Sequence, residues 1–350
     1  MTAFEDAVAG LAPVDAEAAA EASALHDRLA KPRGALGRLE TVGIRLAAIA
    51  GACPPPVPEP AVVAVFAGDH GVLVEGVTPW PQEVTAQMVA VFCAGGAAVN
   101  VLARHAGAEV VVVDVGVAGD LLPAPGLLLR KVRHGAANLA AGPAMTLDEA
   151  ARALDVGARV AAAAVADGAR CLVTGDMGIG NTTASAALIA ALTGLPAAEV
   201  TGRGTGIDDA TYLRKIQIVG AAVARAPDDG PLGVLSSLGG LEIAALAGFI
   251  VGGAAARVPV VVDGVVALAG VLVAAALAPD CVGYCVPGHR STEPGATAAL
   301  EHLGVEPLLD LGMRLGEGTG ACLALPLVQA SAKVLREMVT LDSAGVTGKG

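Results

Sequence analysis

Glu317 stands between two glycines, in the run Leu315-Gly316-Glu317-Gly318. A carboxylate in apolar surroundings has its pKa raised toward neutrality, which suits a general base, and flanking glycines let a ligand approach the backbone. The same spacing also describes an exposed loop glutamate held near a helix N-terminus by the helix dipole. The segment Gly175-Asp176-Met177-Gly178-Ile179-Gly180-Asn181-Thr182-Thr183 has the form of a strand, a glycine loop and a helix start. Free N–H groups and the dipole at such a start favour a phosphate. It nearly matches the nucleotide-binding pattern G-x-x-x-x-G-K-[ST], but Asn181 stands where the lysine belongs, so a nucleoside triphosphatase is excluded on the residue that would hold the outer phosphates. A tight turn with an Asn cap would give the same pattern. Asp69-His70 could form an acid–base pair or bond the backbone of its loop. Trp80, the one tryptophan, could offer a flat apolar wall to an aromatic ligand or fill the core as a large ring.

The six histidines show no metal-ligand spacing, and no G-x-S-x-G nucleophile elbow occurs. The six cysteines lack C-x-x-C spacing and sit mostly in apolar runs, as expected of reduced thiols in a cytoplasmic protein. Cys281 and Cys285 are expected on a strand, without a metal. The net charge of −12 argues against a nucleic-acid surface, though not against an anionic substrate held locally. A mean hydropathy of +0.65 raises the question of membranes. The most apolar stretches, Ile243–Ala256 and Gly264–Pro279, fall short of the roughly 20 residues a span requires, and Arg257 and Asp263 lie between them. No membrane segment is expected, and the acidic N-terminus does not read as a signal peptide.

These loops need elements to position them. Short β-branched runs at 61–66, 109–115, 170–174, 258–262 and 281–286 alternate with helical patterns at 82–106, 147–167, 182–192, 212–225, 241–256 and 265–276. Such alternation predicts an α/β fold: a mainly parallel, doubly wound sheet with helices on both faces. Thr146-x-x-Glu149 is a capping-box signature opening one helix. Helical patterns at 17–29 and 35–50 precede the stiff Pro54–Pro60 linker, and others at 296–302 and 320–341 close the chain. The expected division is a large α/β domain over 56–299 and a smaller helical domain built from both termini, 1–55 and 300–350. In such sheets, ligands bind beyond the carboxyl ends of the strands, where the glycine-rich loops fall.

The loops, in their order, resemble those of the nicotinate-nucleotide–dimethylbenzimidazole phosphoribosyltransferase family. The resemblance runs through Lys31-Pro32-Arg33-Gly34-Ala35-Leu36-Gly37-Arg38-Leu39-Glu40, Asp69-His70-Gly71-Val72 and Gly175 to Thr183. It continues through Asp263-Gly264, Ser291-Thr292-Glu293 and Arg314 to Gly320. It implies transfer of phosphoribose from nicotinate mononucleotide to a benzimidazole nitrogen, with inversion from β to α, in a homodimer. It implies Glu317 as general base. Asp176 stands where the family often has Glu and would support the ribose or nicotinate side. Gly178, Asn181, Gly202, Lys215, Asp263, Gly264, Ser291 and Thr292 would bind the nucleotide, and Trp80, Met88 and Leu315 would line the base pocket. Neither cofactor nor metal is implied, because the donor's pyridinium is already a cationic leaving group. Two other readings keep less of this: the same donor with another acceptor (adenine, another benzimidazole, a phenol), or a nucleotide-binding relative without activity.

Overall fold

The structure, a computed structural model, describes residues 1–226 and 229–346. Helices α1 (Ala3–Gly10), α2 (Ala16–Arg28) and α3 (Arg38–Ala50) lead into strand β1 (Ala61–Gly68). Then come α4 (Glu83–Cys93), α5 (Ala98–Ala106), β2 (Ala108–Gly116), the short β3 (Leu127–Leu129) and α6 (Leu147–Ala166). Strand β4 (Cys171–Met177) is followed by α7 (Asn181–Thr193), α8 (Ala197–Val200), α9 (Asp209–Arg225), α10 (Gly230–Leu238) and α11 (Leu241–Ala255). Strand β5 (Val260–Val262), α12 (Val265–Leu277), β6 (Cys285–Pro287), α13 (Pro294–Leu303) and α14 (Thr319–Glu337) complete the order.

All strand pairings are parallel, in the order β3-β2-β1-β4-β5-β6. The order reverses between β1 and β4, and at such a switch point the loops leaving the two strands part and open a crevice. Strand residues alternate between the sheet's faces. On β1, Val63 and Val65 join the core that α3, α4, α5 and α14 cover, whereas Ala64 and Phe66 join the core under α6, α7, α11 and α12. The second layer is dominated by small side chains. Helix α11 is buried from Leu241 to Ala254, and it crosses α6 at glycines. A methyl built on Gly157 would overlap the Ala245 carbonyl oxygen, and one on Gly248 would overlap that of Leu154, so the two backbones touch.

The terminal helices α2, α3 and α14 pack together, with α14 also lying on α5, β4 and β5. Helix α1 leaves that group and lies on α6 and α11, where the Phe4 amide donates to Asp155 Oδ1 at 3.2 Å. The boundary drawn at 350 includes residues 347–350, which lie outside the described residues.

Two expectations change. The helical pattern over 82–106 is two helices, broken at residues 94–97, where Asn100 Oδ1 accepts from the Ala97 amide and its Nδ2 donates to the Phe92 carbonyl. Residues 83–106 are long and apolar enough to cross a membrane by composition, but neither helix has that length. Cys281 lies in a 3₁₀ turn over Pro279–Tyr284 rather than on β6, which starts at Cys285. Proline at the start of the run fixes φ for a helical turn, and a β-branched count over so short a span does not detect that. Strand β3 and helices α1 and α10 carry no signal long enough to separate them from loop. The capping box at Thr146 is present in both directions.

Candidate active site

The loops leaving β1, β4, β5 and β6 meet the segment before α14 around a cleft of about 330 Å³. At the β4 end, the glycine loop closes on Gly180, whose φ of 92° needs no Cβ to be accommodated. Gly180 caps α7 without a side-chain bond, and Asn181 is the helix's first residue. Its Nδ2 donates to Asp176 Oδ2 at 2.9 Å, so Asn181 orients a carboxyl instead of capping the helix. The cation missing from the sequence pattern arrives from elsewhere. Lys215, on α9, is buried and places Nζ 2.8 Å from Thr182 Oγ1 and 3.2 Å from the Gly202 carbonyl oxygen. Burial lowers its pKa to about 8 against the pull of the Glu293 carboxylate. A helix N-terminus, a buried ammonium and glycine backbone are together suited to hold an anion.

Opposite lies the segment Gly316-Glu317-Gly318, with φ values of 81°, 64° and 97°. Glu317 is a non-glycine residue in left-handed backbone, held there by the loop around it. Its side chain is buried, and Oε2 has no hydrogen-bond partner. Burial raises its pKa, opposed by the Val99 backbone amide at the start of α5 and reinforced by Asp263. Asp263 explains how the loop is held. Its carboxylate accepts from the Gly318 amide at 3.1 Å and the Ala321 amide at 3.0 Å, tying the start of α14 to the end of β5. His289 Nε2 lies 3.4 Å from the same carboxylate. Burial works against a charged His289, but Asp263 prevails and its pKa is raised.

Asp176 is buried among other carboxylates. Burial first, then the Asp263 and Glu242 carboxylates and, less, Glu317, push its pKa well up against the Asn181 bond; Oδ1 is left without a partner. One stretch of the wall is apolar, with Val77, Trp80, Val84, Met88, Ile207 and Leu315, while Arg203, Glu293 and Arg314 add charge beside the anion site. Trp80 is 49% exposed and Leu315 57%, so Trp80 serves as cleft wall, not core filling.

Of the residues singled out in the sequence, Glu317, Asp176, Gly178, Asn181, Lys215, Gly264, Ser291, Trp80, Met88 and Leu315 line this cleft. Gly202 and Thr292 line an adjoining hollow with Arg203, Glu293 and Arg314. Asp263 lines neither, because its carboxylate is committed behind the Glu317 loop. Asp69 and His70 lie under the cleft as buried loop residues: Asp69 Oδ2 accepts from the Ala118 amide at 2.8 Å, and His70 Nε2 is 2.6 Å from Glu242 Oε1. Sequence reasoning misses Glu293 and His289 as site residues, although their loop is conspicuous. Glu293 Oε1 accepts from the Gly204 amide at 2.8 Å and occupies the space a side chain at Gly202 would need. Glu242 has a faint signal, a single acid opening an otherwise apolar helix.

A phosphoribosyltransferase family model matches residues 11–346. The chain is 55% identical to the nicotinate-nucleotide–dimethylbenzimidazole phosphoribosyltransferase of Salinispora tropica, over 99% of this chain and all of that one. It is 52% identical to the protein of the same name from Chloroflexus aggregans, over 100% and 99%. This chain belongs to that phosphoribosyltransferase family. The crystal structure of the Thermus thermophilus protein of that name superposes with a TM-score of 0.91 at 51% identity, over 96% of this chain and all of the other. A second structure from that organism, called CobT, gives 0.92 at 52%, over 95% and all of it. The family fold is thus the α/β sheet found here. The family's reaction class, pentosyl transfer, accords with a cleft that pairs an anion site with a buried carboxylate and an apolar wall.

Proposed function

We propose that this chain transfers phosphoribose from nicotinate mononucleotide to 5,6-dimethylbenzimidazole, giving α-ribazole 5′-phosphate and nicotinate, in the assembly of the cobalamin nucleotide loop. The observation that carries the reading is Glu317: a buried carboxylate with an unpartnered oxygen, in the same cleft as an apolar wall and a cationic phosphate site. Lys215 and the α7 N-terminus hold the donor's phosphate, with Gly178, Gly202, Gly264, Ser291 and Thr292 supplying close backbone or hydroxyl contacts. Asp176, kept protonated by burial and neighbouring carboxylates, offers a hydrogen-bond donor to the ribose or the nicotinate carboxylate. An acceptor ring nitrogen attacks C1′ from the face opposite the pyridinium. Its lone pair becomes the new C–N bond, while the electrons of the breaking bond return to the nicotinate ring. Glu317 takes the proton from the acceptor's other nitrogen, which leaves a neutral base. Inversion follows from a single displacement.

Trp80, Met88, Val84 and Leu315 recognise a flat ring by shape. Adenine would bring polar ring edges into that wall and leave them unpaired, which favours dimethylbenzimidazole. We also read the chain as a homodimer, with exposed Val91 and Val101 on the helices beside the cleft as candidate contacts. A cytoplasmic setting suits its six unpaired thiols. We read segments 1–55 and 300–350 as the smaller unit, which carries Glu317 and sends α1 out onto α6 and α11 of the larger unit, 56–299. Purified protein is expected to convert nicotinate mononucleotide and dimethylbenzimidazole, and Glu317→Gln to lose about 10²- to 10⁴-fold in kcat with unchanged folding. Undiminished turnover in that variant would remove Glu317 as the base, and preferential use of adenine or a phenol in competition would replace the acceptor.

A further inference from the structure

Thr85 has no part in the reaction above, yet it lies between the walls that face the two substrates. It is fully buried on α4, beside Val84 and one turn before Met88, both on the apolar wall. Its Oγ1 accepts the amide of Ile179 at 3.1 Å, and Ile179 is the middle of the glycine turn that leads to the α7 phosphate site. The hydroxyl proton needs an acceptor in so buried a place, and the Asp69 carboxylate faces it. Asp69 is itself fixed. Its Oδ2 takes the Ala118 amide, its Oδ1 is buried without a hydrogen-bond partner and so free to receive the Thr85 proton, and the next residue, His70, is paired with Glu242.

One hydroxyl thus links three elements: the acceptor helix α4, the donor turn after β4 and the loop after β1. A packed interior moves as joined pieces, so a shift of α4 against a bound base carries the Ile179 amide with it. We propose that Thr85 is a positioning residue that couples binding of the acceptor base to binding of the donor phosphate. The proposal rests on the phosphoribosyl-transfer reading. In it, seating the base against Trp80 and Met88 pulls the glycine turn into the conformation that receives the phosphate.

The test is calorimetric titration of nicotinate mononucleotide, with and without saturating dimethylbenzimidazole, in Glu317→Gln protein, in which turnover is slowed. The base is expected to tighten the nucleotide by about five-fold or more, and the nucleotide to tighten the base by the same factor. Adding Thr85→Val should bring both factors to about one while each ligand still binds alone, and Thr85→Ser should restore them. A purely structural threonine would change the melting temperature and both affinities but leave the coupling factor in place. That result, or a factor of one in the Glu317→Gln parent, overturns the proposal. If Thr85→Val does not fold, Thr85→Ala against Thr85→Ser gives the same contrast of hydroxyl absent and present. If neither ligand binds the parent, the transfer reading fails instead, so the two failures are distinguishable.

Discussion

Glycine does opposite work in two regions of this molecule. Where α6 crosses α11, Gly157 and Gly248 sit in ordinary helical backbone and are needed for what they lack, a methyl group that would strike the other helix's carbonyl. Around Glu317, Gly316 and Gly318 adopt left-handed backbone, and the residue between them does so with a side chain. The first region is dense, apolar and relaxed. The second is polar and strained, and it leaves carboxylate oxygens on Glu317 and Asp176 without partners. The contrast teaches that composition alone does not separate scaffold from site: the same residue type fills both, and backbone angle with surroundings tells them apart.

The largest expected effect comes from breaking the contrast at its strained end. Glu317→Gly should lose about 10²- to 10⁴-fold in kcat. It should also stabilise the fold by about 1 kcal/mol in urea denaturation, because left-handed backbone no longer carries a Cβ. A variant both inactive and less stable would mean that the loop is not strained. At the dense end, Gly248→Ala should do the reverse, costing about 1–3 kcal/mol through overpacking while the surviving protein keeps its KM values.

The pH profile sharpens the polar side. Glu317 works as a base only when ionised, and its pKa is raised, so kcat/KM should fall on the acid side at a pH above that of an ordinary glutamate. Lys215 holds phosphate only when protonated, and its pKa is about 8, so kcat/KM should fall again above that pH, by about ten-fold per unit at the limit. Lys215→Arg, charged at every accessible pH, should lose the alkaline limb and keep the acid one. The smallest effect belongs to Thr146→Ala at the start of α6, which should cost about 1 kcal/mol of stability and leave both kinetic constants alone.

The sequence displays the scaffold well because its signals are local. Alternation on β1, the capping box of α6 and the apolar run of α11 each lie within a few turns of chain. The nucleotide loops are legible for the same reason, as glycine runs after strands. Contacts between distant segments are not legible. Nothing near Asn181 says that the Lys215 ammonium comes to Thr182, since those two meet only when α9 folds back on α7. The resemblance makes Asp263 a nucleotide ligand, and only the folded chain shows it gripping the amides of Gly318 and Ala321. Thr85 carries no signal, because a lone threonine in a helix is ordinary until its neighbours across the fold are known. The break at 94–97 is hidden by alanines and glycines that suit either helix or turn.

The grip of Asp263 on the start of α14 also has a meaning for the order in which the molecule comes into being. A chain is made from its N-terminus, and every loop proposed to hold the nucleotide is complete before Glu317 is added. The tie reaches forward from Asp263 to Ala321, 58 positions along the chain. Until that stretch has left the ribosome and closed on β5, the molecule can own a phosphate site but no seated base. On the roles proposed above, the general base is therefore placed only after the nucleotide loops exist, when two backbone amides find one carboxylate.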